Sequence, residues 1–199
     1  MKNSAIYVWD PLVRIFHWSL VLAFSIAYLT EDDLMAVHEF AGYVVLGLVG
    51  FRIVWGLIGT RYARFSDFIY RPASIIRYIK TLTGPNPPHY IGHNPAGGLM
   101  VILLLVMLAL TSWTGIKAYE IESTAQAGLS ITLVNAAYAD DDHKKGDEGN
   151  EFWEEIHEAS ANLTLFLIFV HIAGVLASSL IHRENLVRAM ITGYKQKKE

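Results

Sequence analysis

The chain contains no cysteine. That absence removes disulfides, zinc–thiolate sites and iron–sulfur ligation together, so any metal or redox chemistry has to run through histidine, of which there are eight. Charge is also scarce: 18% of the residues are charged and 53% are hydrophobic. The mean hydropathy is +0.32. Apolar residues gather in long blocks rather than amphipathic stripes, and no segment between blocks is long enough to build a soluble core of its own. A cleavable leader is not expected, because the first block follows the polar, aromatic Tyr7-Val8-Trp9-Asp10 and carries Arg14 and His17 within it. Such a block makes a poor signal sequence. No nucleic-acid partner is expected.

Four blocks reach the length of about 20 residues that a membrane-crossing helix requires. They run from about 11 to 29, 38 to 58, 96 to 116 and 152 to 181. The expectation is therefore an all-α integral membrane protein, a four-helix bundle forming one domain over residues 1–199, with an outer loop at 117–151 and an inner tail at 182–199. Lys and Arg concentrate in the N-terminus, the second connection and the tail, while the opposite side has only Lys117, Lys144 and Lys145. By the positive-inside rule both termini face the cytoplasm. Within the outer loop, the apolar stretch 128–139 is too short to span and is expected in the outer interface, and the charged stretch 140–151 in solvent.

Asp10-Pro11 and Asn94-Pro95 each combine a side-chain acceptor at a helix N-cap with proline at the first helical position. The second helix holds five glycines, a usual mark of close helix packing. Gly42 stands apart, one turn after His38 on the same face, where a missing side chain leaves room for something flat. Arg52, near the inner end of that helix, either snorkels to the headgroups or pairs with an anionic group of a ligand. Residues 74–82 read as a short amphipathic helix on the inner leaflet, and the basic tail as a second such segment on anionic lipid. His89 and His93 lie in a polar turn and suit capping, headgroup or ligand-carboxylate contacts better than metal ligation. Helix three has neither histidine nor charge and reads as structural.

The chemistry concentrates in the fourth block. His157 and His171 are 14 residues apart, so on a helix they differ by about 40° in azimuth and roughly 21 Å in height. One helix therefore offers an imidazole to each half of a membrane, where ionisable side chains are costly and usually functional. His38 lies at the outer depth with His157, and His17 at the inner depth with His171. Two histidines per level, without carboxylate or thiolate, are too few for zinc or copper and suit a flat ligand with two open axial positions, a haem. His182, 11 residues beyond His171, returns to nearly the same azimuth at the water boundary, placed for a hydrogen bond to the charged edge of such a cofactor.

The segments WDPLVRIFHW (9–18), HEFAGYVVLGLVGFRIVWG (38–56), YIGHNPAGG (90–98) and HRENLV (182–187), with His157 and His171, resemble the bacterial cytochrome b561 family, which includes the cytochrome b subunits of membrane-bound nickel–iron hydrogenases. The resemblance covers all four helices. It implies two b-type haems, ligated by His17 with His171 and His38 with His157, with Arg14, Arg52, His182 and His93 as candidate contacts to propionate or quinone and Gly42 packing against a haem. It further implies electron transfer across a bacterial inner membrane between quinone and an outer carrier, either a periplasmic cytochrome c or a redox enzyme subunit, and a homodimer is compatible with it. A stand-alone superoxide:quinone oxidoreductase is one alternative; a metal-ion or proton carrier using the histidine column is another.

Overall fold

A computed structural model describes residues 5–31, 33–82, 84, 87–132 and 142–196. Four of its helices are long and apolar enough to cross a membrane: α1 (Pro11–Leu29), α2 (Met35–Ile58), the first part of α5 (Pro95–Thr132) and most of α6 (Asp142–His182). Between α2 and α5 lie a 3-10 turn (Arg61–Ala63), α3 (Phe65–Phe68) and α4 (Pro72–Thr81); after α6 comes α7 (Leu186–Thr192).

Both cap-plus-proline starts form as the residues dictate. The Val13 amide donates to Asp10 Oδ1 at 3.0 Å and the Gly97 amide to Asn94 Oδ1 at 2.7 Å. Helix α2 starts one turn earlier than its histidine, because apolar Met35 to Val37 join it and the Val37 and His38 amides both donate to the Leu34 carbonyl. The expected 117–151 loop is corrected at both ends. Helix α5 continues to Thr132 and α6 begins at Asp142, since charge ends a membrane crossing without ending a helix, whose backbone bonds are internal. Of the stretch expected in the outer interface, 128–132 is helical; residues 133–141 lie outside the described ones.

The all-α expectation is corrected in one place. A two-stranded antiparallel ribbon joins β1 (Ala5–Tyr7) to β2 (Tyr194–Gln196), pairing Ile6 with Lys195. The end of the tail is therefore held on the N-terminus. Gly193, at φ 88°, turns the chain from α7 into β2 in a conformation that suits glycine, and its carbonyl accepts the Val8 and Trp9 amides. Buried beneath the ribbon, Lys195 Nζ sits 3.3 Å from a Glu184 carboxylate oxygen, and His89 meets the other oxygen of that carboxylate. Burial pulls the Lys195 ammonium down and Glu184 pushes it back up. Replacing Glu184 with alanine leaves that ammonium unpaired, and breaking a buried pair from one side costs about 3 kcal/mol or more. Faster hydrogen exchange at the ribbon amides is the expected readout.

Within the bundle α1 packs along α2, α2 along α5, and α5 along α6. Phe16, Ala23, Val45, Val49, Leu105 and Leu108 form the core between the first three. Without a solvent-driven hydrophobic term between helices in lipid, close packing of small and branched residues holds them together. Helix α6 has no comparable packing against α1 or α2 among the described residues, and only 6% of its most apolar stretch is buried. The gaps that remain are where the histidines face one another.

Candidate functional site

Helix α6 carries one imidazole to each of two levels, and each meets a partner across a gap. The His38 and His157 ring centroids are 5.9 Å apart, and those of His17 and His171 are 6.5 Å apart. An iron held between two imidazole nitrogens, each at about 2 Å as in other metal–histidine bonds, places the centroids roughly 6 Å apart. Two ligands per level is also the donor set of a metal whose other positions are filled by a macrocycle. No group of three or more His, Asp or Glu that could hold a bare metal ion occurs among the described residues.

At the outer level the backbone fixes both imidazoles. His38 Nδ1 donates to the Ala27 carbonyl at 2.8 Å, and His157 Nδ1 to the Thr111 carbonyl at 2.9 Å. A proton held on Nδ1 leaves Nε2 as a free lone pair directed elsewhere, the usual arrangement of a metal-binding histidine. Gly42 lines the cleft beside His38 and His157, and a Cβ there would meet nothing within 4 Å. The same is true of Gly47 and Gly50, whereas at Gly56 a Cβ would strike the Phe65 ring at 2.2 Å. The packing explanation for the α2 glycines therefore holds at its inner end and fails along the stretch that starts at Gly42.

Helix α5, read from its sequence as structural, supplies the wall that holds His157. Thr114 and Thr164 are fully buried. Thr114 Oγ1 lies 3.3 Å from His157 Nδ1 and 3.3 Å from Ser160 Oγ, while Thr111 and Thr164 bond at 3.1 Å. Gly115 lies flat against the ring: an added Cβ would come within 2.9 Å of His157 Cε1. The signal in the sequence was a stripe of small and hydroxyl residues at 111, 114 and 115 in an otherwise aliphatic helix. Gly115→Ala must push the imidazole over, and second-shell changes typically cost 10- to 100-fold in metal affinity. Its expected result is an altered electron paramagnetic signal of the haem-loaded protein, and an unaltered signal would show the ring contact to be idle.

At the second level the candidate contacts are gathered at the end of the bundle that carries the β1–β2 ribbon. Arg52 does not snorkel. It is buried, donates to the Ala63 carbonyl at 3.0 Å, and has its guanidinium carbon 5.0 Å from the centre of the Phe65 ring. Arg14 Nη1 donates to the Ile191 carbonyl at 2.6 Å. His93 packs between Trp9 and Phe68 in tilted contacts, with centroids at 4.7 and 4.5 Å, so its ring is turned into the protein. Burial first, and then the charges of Arg52, Lys195 and His171, lower it to about 3. Arg14 Nε, Arg52 Nη1, His93 Nδ1 and His17 Nδ1 are buried without a hydrogen-bond partner. Buried donors left open are costly, and a set of them around cations fits an anionic edge such as a propionate. His182 lies beside His89, ring centroids 5.4 Å apart.

The family model described as prokaryotic cytochrome b561 matches residues 8–193. The chain belongs to that family. A probable Ni/Fe-hydrogenase B-type cytochrome subunit of Rhodobacter capsulatus is 22% identical over 234 residues, spanning all of this chain and 84% of that protein. Proteins of the same description from Azotobacter vinelandii and Cupriavidus necator are 24% and 23% identical, with 91% and 89% of their lengths covered. No solved structure matches the chain at a comparable level. As a member of the cytochrome b561 family it is a multi-pass membrane protein of electron transfer that carries b-type haem. The residues present fit that group: facing imidazoles, a glycine-lined cleft and unfilled donors on the inner side. Bound there, haem supplies one-electron chemistry, and the protein supplies orientation and electrostatics.

Proposed function

We propose that this cytochrome holds two haems, one between His38 and His157 and one between His17 and His171, and passes electrons between quinone near the inner haem and a redox partner on the outer face of a bacterial inner membrane. The observation that carries the proposal is the pair of imidazole couples, set 14 residues apart along α6 across gaps that neither α1 nor α2 closes by packing. Ligation by two histidines saturates the iron, which favours electron transfer over oxygen binding. The Lys and Arg asymmetry supports cytoplasmic termini, placing His17 and His171 on the inner side. The hydrogenase cytochrome subunits among the relatives support a redox enzyme as the outer partner.

A pyridine haemochrome spectrum with protein quantitation should give two b-type haems per chain, both low-spin, and a quinol analogue added to the oxidised protein should reduce them. One haem per chain, or high-spin iron at both positions, would overturn the assignment.

A further inference from the structure

An open concavity lies away from the histidines, where α6 gives way to α7. It has a volume of about 630 Å³ and is lined by Leu176, Leu180, Arg183, Val187, Arg188 and Ile191, among others. Its apolar wall is uncovered, with Leu180 at 79% and Ile191 at 58% exposure. The position is diagnostic: Leu176 and Leu180 belong to the last turns of the membrane-crossing part of α6, which ends at His182, so the notch opens at headgroup depth.

Its polar rim carries unbalanced positive charge. Arg183 and Arg188 are both exposed, and neither forms an ion pair among the described residues. The one carboxylate in the lining, Glu184, is turned inward to Lys195 and His89 and is nearly buried. Arg183 also has φ 51° and is the one non-glycine residue with positive φ among those described. A helix that ends in this left-handed conformation normally uses glycine or asparagine there. An arginine held in it is an outlier that calls for a reason at the side chain.

We infer that this notch binds one anionic phospholipid, its phosphate bridged by Arg183 and Arg188 and its acyl chains lying along Leu176, Leu180 and Ile191. Guanidinium groups recognise phosphate by paired hydrogen bonds, and basic pockets between helices on the cytoplasmic side are known headgroup sites. A zwitterionic lipid adds a cation beside two arginines, and a quinone brings no anion, so the charge selects the occupant. Because α7 leads directly into the β1–β2 ribbon, a lipid seated there also steadies the clasp between the two ends of the chain.

The test uses the haem-loaded protein, purified in mild detergent and transferred to phosphatidylcholine vesicles with or without phosphatidylglycerol. Native mass spectrometry should show one retained phosphatidylglycerol, and the anionic lipid should raise the temperature at which Soret absorbance is lost. The Arg183→Gln/Arg188→Gln protein should lose both effects with haem content intact; Arg71→Gln/Arg77→Gln, at the N-cap and within α4, should keep them. Arg183→Gly separates backbone from charge, because it relieves the left-handed residue and should still bind the lipid at least tenfold more weakly. Retention of the lipid by the Gln double variant, equal retention of phosphatidylcholine, or displacement of the lipid by a quinone would each overturn the assignment.

Discussion

Replacing His171 with alanine should halve the haem content and leave a single low-spin haem in a folded protein. The imidazole facing it, His17, has its Nδ1 buried without a partner and would be the only axial donor left at that level. Replacing His157 should also remove one haem, but with a second cost. His157 accounts for the hydrogen bonds to the Thr111 carbonyl and Thr114 hydroxyl, and leaving such buried groups unmatched costs about 1–3 kcal/mol. The two variants should therefore lose equal absorbance and unequal stability. The double variant should bind no haem. Haem-to-protein ratios, followed by thermal loss of helical circular dichroism, measure both. A His171→Ala protein with its full haem complement would remove α6 as the shared source of ligands.

The other large effect concerns a residue outside the two histidine pairs. Asp10→Ala should destabilise the protein by about 3–5 kcal/mol, the range for exposing one half of a buried charge arrangement. Asp10 is 5% exposed and its carboxylate serves three helical connections at once. Oδ1 accepts the Val13 amide, while Oδ2 accepts Trp55 Nε1 at 3.3 Å and Thr60 Oγ1 at 2.5 Å. It also places a negative charge near the buried Arg52 guanidinium. Loss of the cap alone costs about 1 kcal/mol; the rest comes from the stranded donors and the uncompensated guanidinium. Asp10→Asn keeps the capping oxygen and loses the charge, so it should fall between wild type and alanine. Thermal unfolding followed at the Soret band and by circular dichroism checks the order, and an Asp10→Asn protein as unstable as Asp10→Ala would assign the whole effect to charge.

Much of this was legible before any coordinates. Length and hydropathy mark helices because a bilayer permits few other ways to satisfy the backbone, and Asp10-Pro11 and Asn94-Pro95 announce helix starts because cap and proline chemistry is local. The depth pairing of the histidines follows from rise and azimuth alone. Less local features were hidden. The burial of Arg52 depends on the Phe65 ring and the Ala63 carbonyl, which the chain brings back after leaving the membrane. The ribbon joins residues 5–7 to 194–196, and three-residue strands have no periodicity to read.

By itself the sequence determined which segments are long and apolar enough to cross a membrane, which imidazoles are spaced to share a depth, and that histidine alone could carry the redox chemistry. Those properties depend on the composition and helical spacing of each segment taken singly. Only the tertiary structure decided that α6 packs on α5 and leaves gaps toward α1 and α2, that Thr114 and Gly115 hold the His157 ring, and that unfilled donors gather at the inner end. Such arrangements depend on how separate helices are placed against one another, and a helical repeat says which side chains share a face without saying what that face will meet.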